Sequence, residues 1–148
     1  MAEDIKIRNK KASFEYFLLE KFICGICLTG TEIKSIREGK ANLVDSYCLF
    51  NNNELFVKSL HISEYTFGTS YNHDPKRDRK LLLNKRELRK IQNKIKDQGI
   101  TIIPTLLFVN EKGLAKLEIA IAKGKKLYDK RETLKQKDTQ REIDRKSF

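Results

Sequence analysis

An alternation of apolar residues along residues 114–122 stops at Gly124, and beyond it the chain turns strongly charged. Ala115, Leu117, Ile119 and Ile121 fall on one side of that stretch, and Lys116, Glu118, Ala120 and Ala122 on the other. A period of two marks a half-buried strand. Residues 123–148 carry ten Lys and Arg against five acids, with Leu127, Tyr128, Leu134, Ile143 and Phe148 as their large apolar side chains. So little apolar surface does not offset the entropy of ordering a segment. The chain is therefore expected to divide into a folding part, residues 1–122, and a basic tail, residues 123–148, disordered when free. No Pro or Gly follows Tyr128, so a helix is available to the tail if a partner supplies the binding free energy.

The remaining chain is long enough for one buried core. Of the 148 residues, 31 are Lys or Arg and 20 are Asp or Glu, a formal net charge of +11. That surplus favours a polyanionic partner, because each phosphate neutralised releases condensed counterions. No apolar run reaches the roughly 18 residues a bilayer span needs. The N-terminus lacks the basic start and apolar stretch of a signal peptide. A cytoplasmic protein without a membrane partner is expected, and the three cysteines imply no disulfide framework there.

Residues 14–28 are rich in aromatic and β-branched types and divide near Glu20-Lys21, which predicts two strands joined by a tight turn. Phe22, Cys24, Ile26 and Leu28 share one face of the second. Ile33 and Ile36 at helical spacing predict a short helix capped by Thr31 and stopped by Gly39. Residues 46–50 and 54–60 read as strands around a turn at Asn51-Asn52-Asn53. Residues 63–78 read as a long loop. Asn84, with Glu87 three residues on, starts a helix over 84–98 whose apolar stripe is Leu88, Ile91 and Ile95. Residues 100–109 form a strand that Pro104 makes an edge or bulged one. About six short strands and two helices predict a mainly β fold, a small closed or partly closed antiparallel barrel with flanking helices.

Cys24-Gly-Ile-Cys27 has redox or zinc spacing, but positions three apart on a strand point to opposite faces. Neither Cys48 nor His61 and His73 completes a ligand set. The cysteines read as small packed hydrophobes, and no metal or cofactor is expected. No nucleophile, base and acid stand together, and no phosphate-binding glycine loop is present, so no enzymatic activity is expected. Basic residues interleaved with aromatics are better represented: Asn9-Lys10-Lys11 before Phe14 and Tyr16, Lys76 to Lys80 before three leucines, and Gly124-Lys125-Lys126 before Tyr128. Cationic side chains pair with phosphates, and aromatic faces stack on unpaired bases.

In order, Asn9-Lys-Lys-Ala12, Glu15-Tyr-Phe17, Gly30-Thr-Glu-Ile-Lys-Ser-Ile-Arg37, Gly39-Lys-Ala-Asn42, Asp45-Ser-Tyr47, Asp74-Pro-Lys-Arg-Asp-Arg-Lys-Leu-Leu-Leu83, Ala122-Lys-Gly-Lys-Lys126 and Asp129-Lys-Arg131 resemble the small protein B (SmpB) family, the bacterial partner of transfer-messenger RNA. The resemblance spans nearly the whole chain. It implies an oligonucleotide-binding (OB-type) barrel that acts as a monomer in complex with RNA. It also implies that the chain binds the transfer-RNA-like end of that RNA and enters stalled ribosomes with it. The tail then becomes a helix in the empty messenger channel. On the matching positions it implies RNA contacts by Asn9, Lys10, Tyr16, Leu82, Asn84 and Lys116, with Lys123, Lys125 and Lys126 added at the basic joint. Tyr128, Asp129, Lys130 and Arg131 match the positions that meet the decoding centre. From the residues alone, Leu82 lies between two leucines, a pattern that reads as core. Ile23 stands where many relatives carry an RNA-contacting glutamate. A general RNA-binding or ribosomal protein with the same barrel is the alternative that composition leaves open.

Overall fold

The alternating stretch before Gly124 is the seam on which the fold closes. It forms strand β9 (Ala115–Gly124), which pairs on one side with β2 (Tyr16–Ile26) and on the other with β8 (Ile100–Val109). The computed structural model describes residues 5–67, 72–126 and Arg131. Among them β4 (Tyr47–Asn51), β5 (Glu54–Lys58) and β7 (Arg79–Leu82) complete the circuit in the order β8-β4-β5-β7-β2-β9 and back to β8. Every pairing is antiparallel. This is a closed six-stranded barrel, and closure removes the unpaired edges an open sheet exposes. A short β1 (Lys6–Arg8) adds to the far half of β8, and β3 (Ala41–Asn42) pairs with β6 (His61–Ile62).

The side chains follow the alternation. Phe22, Cys24 and Ile26 of β2 point inward with Leu117, Ile119 and Ile121 of β9, Leu55 and Val57 of β5, and Leu81 of β7. Ile36 of α2 (Gly30–Arg37) and Ile91 of α3 (Lys85–Lys94) add to this core. Ala120 and Ala122, on the outer face, are also buried. There α1 (Ala12–Glu15) lays Ala12 over Ala122 and Ile103, with Tyr16 and Leu18 packed alongside.

Several local expectations shift. Residues 14–28 hold the end of the helical turn α1 and one long strand, not two strands. The break at Glu20 is a bulge, where pairing with β9 passes from Leu18 directly to Glu20. The sixth barrel strand is instead β7, the charged run leading into the leucines. Thr29 rather than Thr31 caps α2, its hydroxyl accepting from the Glu32 N–H while the Glu32 carboxylate accepts from the Thr29 N–H. Asn52 and Asn53 both adopt positive φ, 50° and 64°, in the two-residue turn of the β4–β5 hairpin. Pro104 marks a bulge, with the register slipping between Pro104 and Leu106. β8 is no edge: β9 flanks one side, and β4 and β1 share the other.

The described parts of the long loop are tied to α2 from below. Buried Glu32 receives the guanidinium of buried Arg79 and that of Arg77, the latter at 2.7 Å. Arg79 also donates to the Leu60 and Pro75 carbonyls. His73 is buried: its Nε2 donates to the Ile62 carbonyl at 2.9 Å, which leaves Nδ1 to accept from the Thr31 hydroxyl at 2.8 Å. The arginines of the 76–80 run are thus largely structural.

Candidate nucleic-acid interface

The outer wall of β7, β2 and β9 gathers residues far apart in sequence. Gly25 of β2 is the cross-strand partner of both Leu82 and Lys116. With no side chain at the centre of this row, Leu82 and Lys116 flank a shallow gap. A Cβ at Gly25 would meet Leu82 Cβ at 3.3 Å. Leu82 is 51 % exposed while Leu81 is buried, so the strand's alternation, not the run of leucines, decides its role. Asn84 follows two residues later. Its Oδ1 accepts from the Glu87 N–H at 2.8 Å, capping α3, and its Nδ2 has no protein partner among the described residues.

Next along the outer row stands Ile23, 59 % exposed and opposite Glu118. Glu118 accepts from the Thr105 hydroxyl at 2.9 Å. An apolar side chain therefore occupies the place where the resemblance leads one to expect a carboxylate, and the residue opposite it on the neighbouring strand is Glu118. Lys21 follows, and with Arg8 and Lys10 it lines a shallow basic pocket near Ser13 and Leu18. Neither Arg8 nor Lys21 was singled out from the sequence. The period-two pattern around Phe22 places Lys21 outward, but the predicted turn at Glu20-Lys21 hid it.

Asn9 has a structural task. Its amide donates to the Pro104 carbonyl at 3.0 Å and to the Leu43 carbonyl at 3.5 Å, which holds the start of the chain against the β8 bulge. Lys10 beside it is exposed. Tyr16 begins β2 opposite Gly124, half-buried against Ala12 and Ala122. Lys123 is exposed at the end of β9, and Lys126 is exposed just past it. Lys125 is fastened: its N–H donates to the Glu15 carbonyl at 2.8 Å, and its Nζ donates to the Ser13 carbonyl at 2.9 Å and lies 5.0 Å from the Phe17 ring centre. Of the four expected decoding-centre residues, Arg131 is exposed, while Tyr128, Asp129 and Lys130 lie outside the described residues.

The Cys24 and Cys27 side chains do not converge: Cys24 is buried and Cys27 exposed. Burial, with Glu87 adding and Lys116 opposing, pushes the Cys24 thiol up to about 12. Cys48 is raised well above its ordinary value, again by burial and then by Cys24. Among the described residues no group of three or more His, Cys, Asp and Glu is placed to hold a metal ion. None of the helices among them is long and apolar enough to cross a membrane. This surface is built to present donors, cations and apolar faces.

The family model described as SmpB protein matches residues 6–147. An SsrA-binding protein from Phocaeicola vulgatus is 61 % identical over 141 residues, covering 95 % of this chain and 94 % of its own. One from Christiangramia forsetii is 56 % identical over 145 residues, covering 98 % and 92 %. A chain of the solved structure reported as "tmRNA-SmpB: a journey to the center of the bacterial ribosome" superposes with a TM-score of 0.73 at 39 % identity, covering 88 % of this chain and 94 % of that one. Matched by that family model over residues 6–147 and by relatives 56 % and 61 % identical over nearly the whole chain, this chain belongs to the SmpB protein family.

Proposed function

We propose that this chain is a non-enzymatic, cytoplasmic RNA-binding adaptor. It binds the transfer-RNA-like domain of transfer-messenger RNA and carries it to stalled ribosomes for trans-translation. The observation that carries this reading is the row on the outer wall. Leu82 and Lys116, 34 positions apart in sequence, meet across Gly25, with Asn84 close behind. An exposed apolar side chain beside a cation and a free amide suits a nucleic-acid surface of bases and phosphates. The relatives' name, SsrA-binding protein, and the likeness to a chain of a tmRNA-SmpB structure support the same partner.

Within this reading Tyr16, Leu82, Asn84 and Lys116 contact the RNA directly, with Lys10, Lys123, Lys125 and Lys126 near its phosphates. Asn9 acts by holding β1 in place. Beyond the barrel's last strand, which ends at Gly124, and the basic joint at Lys125 and Lys126, the tail carries Tyr128, Asp129, Lys130 and Arg131 to the decoding centre of the small subunit, and the residues after Arg131 enter the empty messenger channel. Competition binding at several salt concentrations tests the partner. Transfer-messenger RNA should win over bulk transfer RNA, with affinity falling steeply as salt rises. Equal affinity for both would leave a general RNA-binding protein instead.

A further inference from the structure

Asp45-Ser46-Tyr47, one of the sequence motifs the outer wall does not use, faces a second cleft between α1 and the start of β4. Lys11, Glu15, Tyr16, Asp45, Tyr47 and Thr101 are among the residues that line it. No hydrogen bond or ion pair among the described residues engages the side chains of Glu15, Asp45, Tyr47 or Thr101, or the Tyr16 hydroxyl. Two phenol rings, two carboxylates and one hydroxyl thus share a cleft with their bonding capacity unspent. The turn that presents Asp45 is built tightly. Ser46 donates from both its N–H and its hydroxyl to the Leu43 carbonyl, and Asp45 itself takes a φ of 65°. Aspartate tolerates that left-handed conformation better than most residues.

We infer that this cleft is a binding site for one unpaired nucleobase of the bound RNA, and that it prefers guanine. The inference rests on the RNA-binding reading above and adds a base-specific subsite to it. Carboxylates repel phosphates, so they do not serve the backbone; an ionised carboxylate only accepts hydrogen bonds. It therefore selects a base edge rich in donors, as Asp and Glu do with exocyclic amino groups. Guanine offers N1–H and the N2 amino group side by side, matching the two oxygens of one carboxylate. Adenine and cytosine offer one amino group on that edge, and uracil none. Tyr16 and Tyr47 supply ring faces for stacking, and Lys11 with the neighbouring Lys10 supplies charge for the flanking phosphate.

The test begins with the full chain and two probes, guanosine and uridine monophosphate, titrated while backbone amide resonances are recorded. Guanosine monophosphate should shift the amides of Asp45, Ser46, Tyr47 and Thr101, and uridine monophosphate at the same concentration should leave them in place. Equal shifts with both, or none with either, overturn the inference. Binding to the transfer-RNA-like domain is then compared across variants. Tyr47→Ala should weaken it about tenfold, by loss of one stacked base. Tyr47→Phe should keep most of the affinity. Asp45→Asn, which retains a residue suited to the turn, should erase the guanosine preference. Variants that bind RNA like the parent sink the base site while leaving the adaptor reading intact. If the parent chain shows no preference for that RNA, the adaptor reading falls and the nucleotide titration judges the cleft alone.

Discussion

The buried carboxylate of Glu32 is the residue on which the long loop turns. Burial alone would raise its pKa, but the Arg77 guanidinium, the Thr29 N–H and Arg79 outweigh that and hold it below the ordinary 4.5. A carboxyl whose folded-state pKa is depressed stabilises the fold fully above its unfolded value. That stability drains away as the pH drops through the folded value. Replacing Glu32 with Gln strands a buried guanidinium, which costs about 3 kcal/mol near neutral pH. The deficit, read by urea unfolding, should shrink as the pH is lowered from 7 towards 3. A constant deficit across that range would mean that the charge of Glu32 contributes nothing. The cysteines offer a second check at this scale. Thiolate, not thiol, reacts with alkylating reagents, and burial keeps Cys24 and Cys48 protonated and enclosed. Native protein should take up one label per chain, at Cys27, and three only after denaturation.

Among the elements, the β8 bulge shows how a sequence signal and its structural answer lie far apart. Pro104 marks an irregular strand, and that much is legible from the missing N–H. The partner that makes the irregularity tolerable is Asn9, 95 residues away, whose amide satisfies the Pro104 carbonyl. Asn9→Ala should therefore lower stability by about 1–2 kcal/mol, the cost of leaving buried acceptors unpaired. It should weaken RNA binding only in proportion to unfolding. Lys10→Ala should leave thermal melting unchanged and flatten the salt dependence of binding. The same distinction explains what was readable elsewhere. The α3 capping box and the Asn52-Asn53 turn are local, so composition and spacing reveal them. β7 is not local: Lys76 to Lys80 is a charged run, and its strand rests on pairing with β5 and β2, with Arg79 meeting Glu32 of α2. From the residues alone Leu82 reads as core for a related reason. Three leucines in a row carry no period, and only pairing with Gly25 shows which of them faces out. Residues of the outer wall that came from the resemblance, Lys116 and Leu82, converge in space, whereas Arg8 and Lys21 needed the register to be found.

For the whole molecule, the boundary at Gly124 becomes a question of where the body ends. Apolar composition stops at Ala122, but hydrogen bonding does not. Lys123 pairs with Phe17 and with Ile100, and Gly124 with Tyr16, so β9 runs two residues further. Lys125 then clamps the Ser13 and Glu15 carbonyls at the end of α1. This clamp sits beside Tyr16, so Lys125 is held next to a proposed RNA contact. Three truncations separate these contributions. A chain ending at Lys126 keeps every one of these bonds; it should melt like the full chain and bind transfer-messenger RNA nearly as well, while losing tagging of stalled peptides. A chain ending at Gly124 loses the clamp and should melt a few degrees lower. A chain ending at Ala122 also loses the last strand pairs, and Tyr16 loses its cross-strand partner. Its RNA affinity should fall along with its stability. If ending at Ala122 and at Lys126 gave equal stability and equal affinity, composition alone would define the body, and the clamp would do nothing. If ending at Lys126 already abolished RNA binding, the division between a gripping barrel and a probing tail would be wrong.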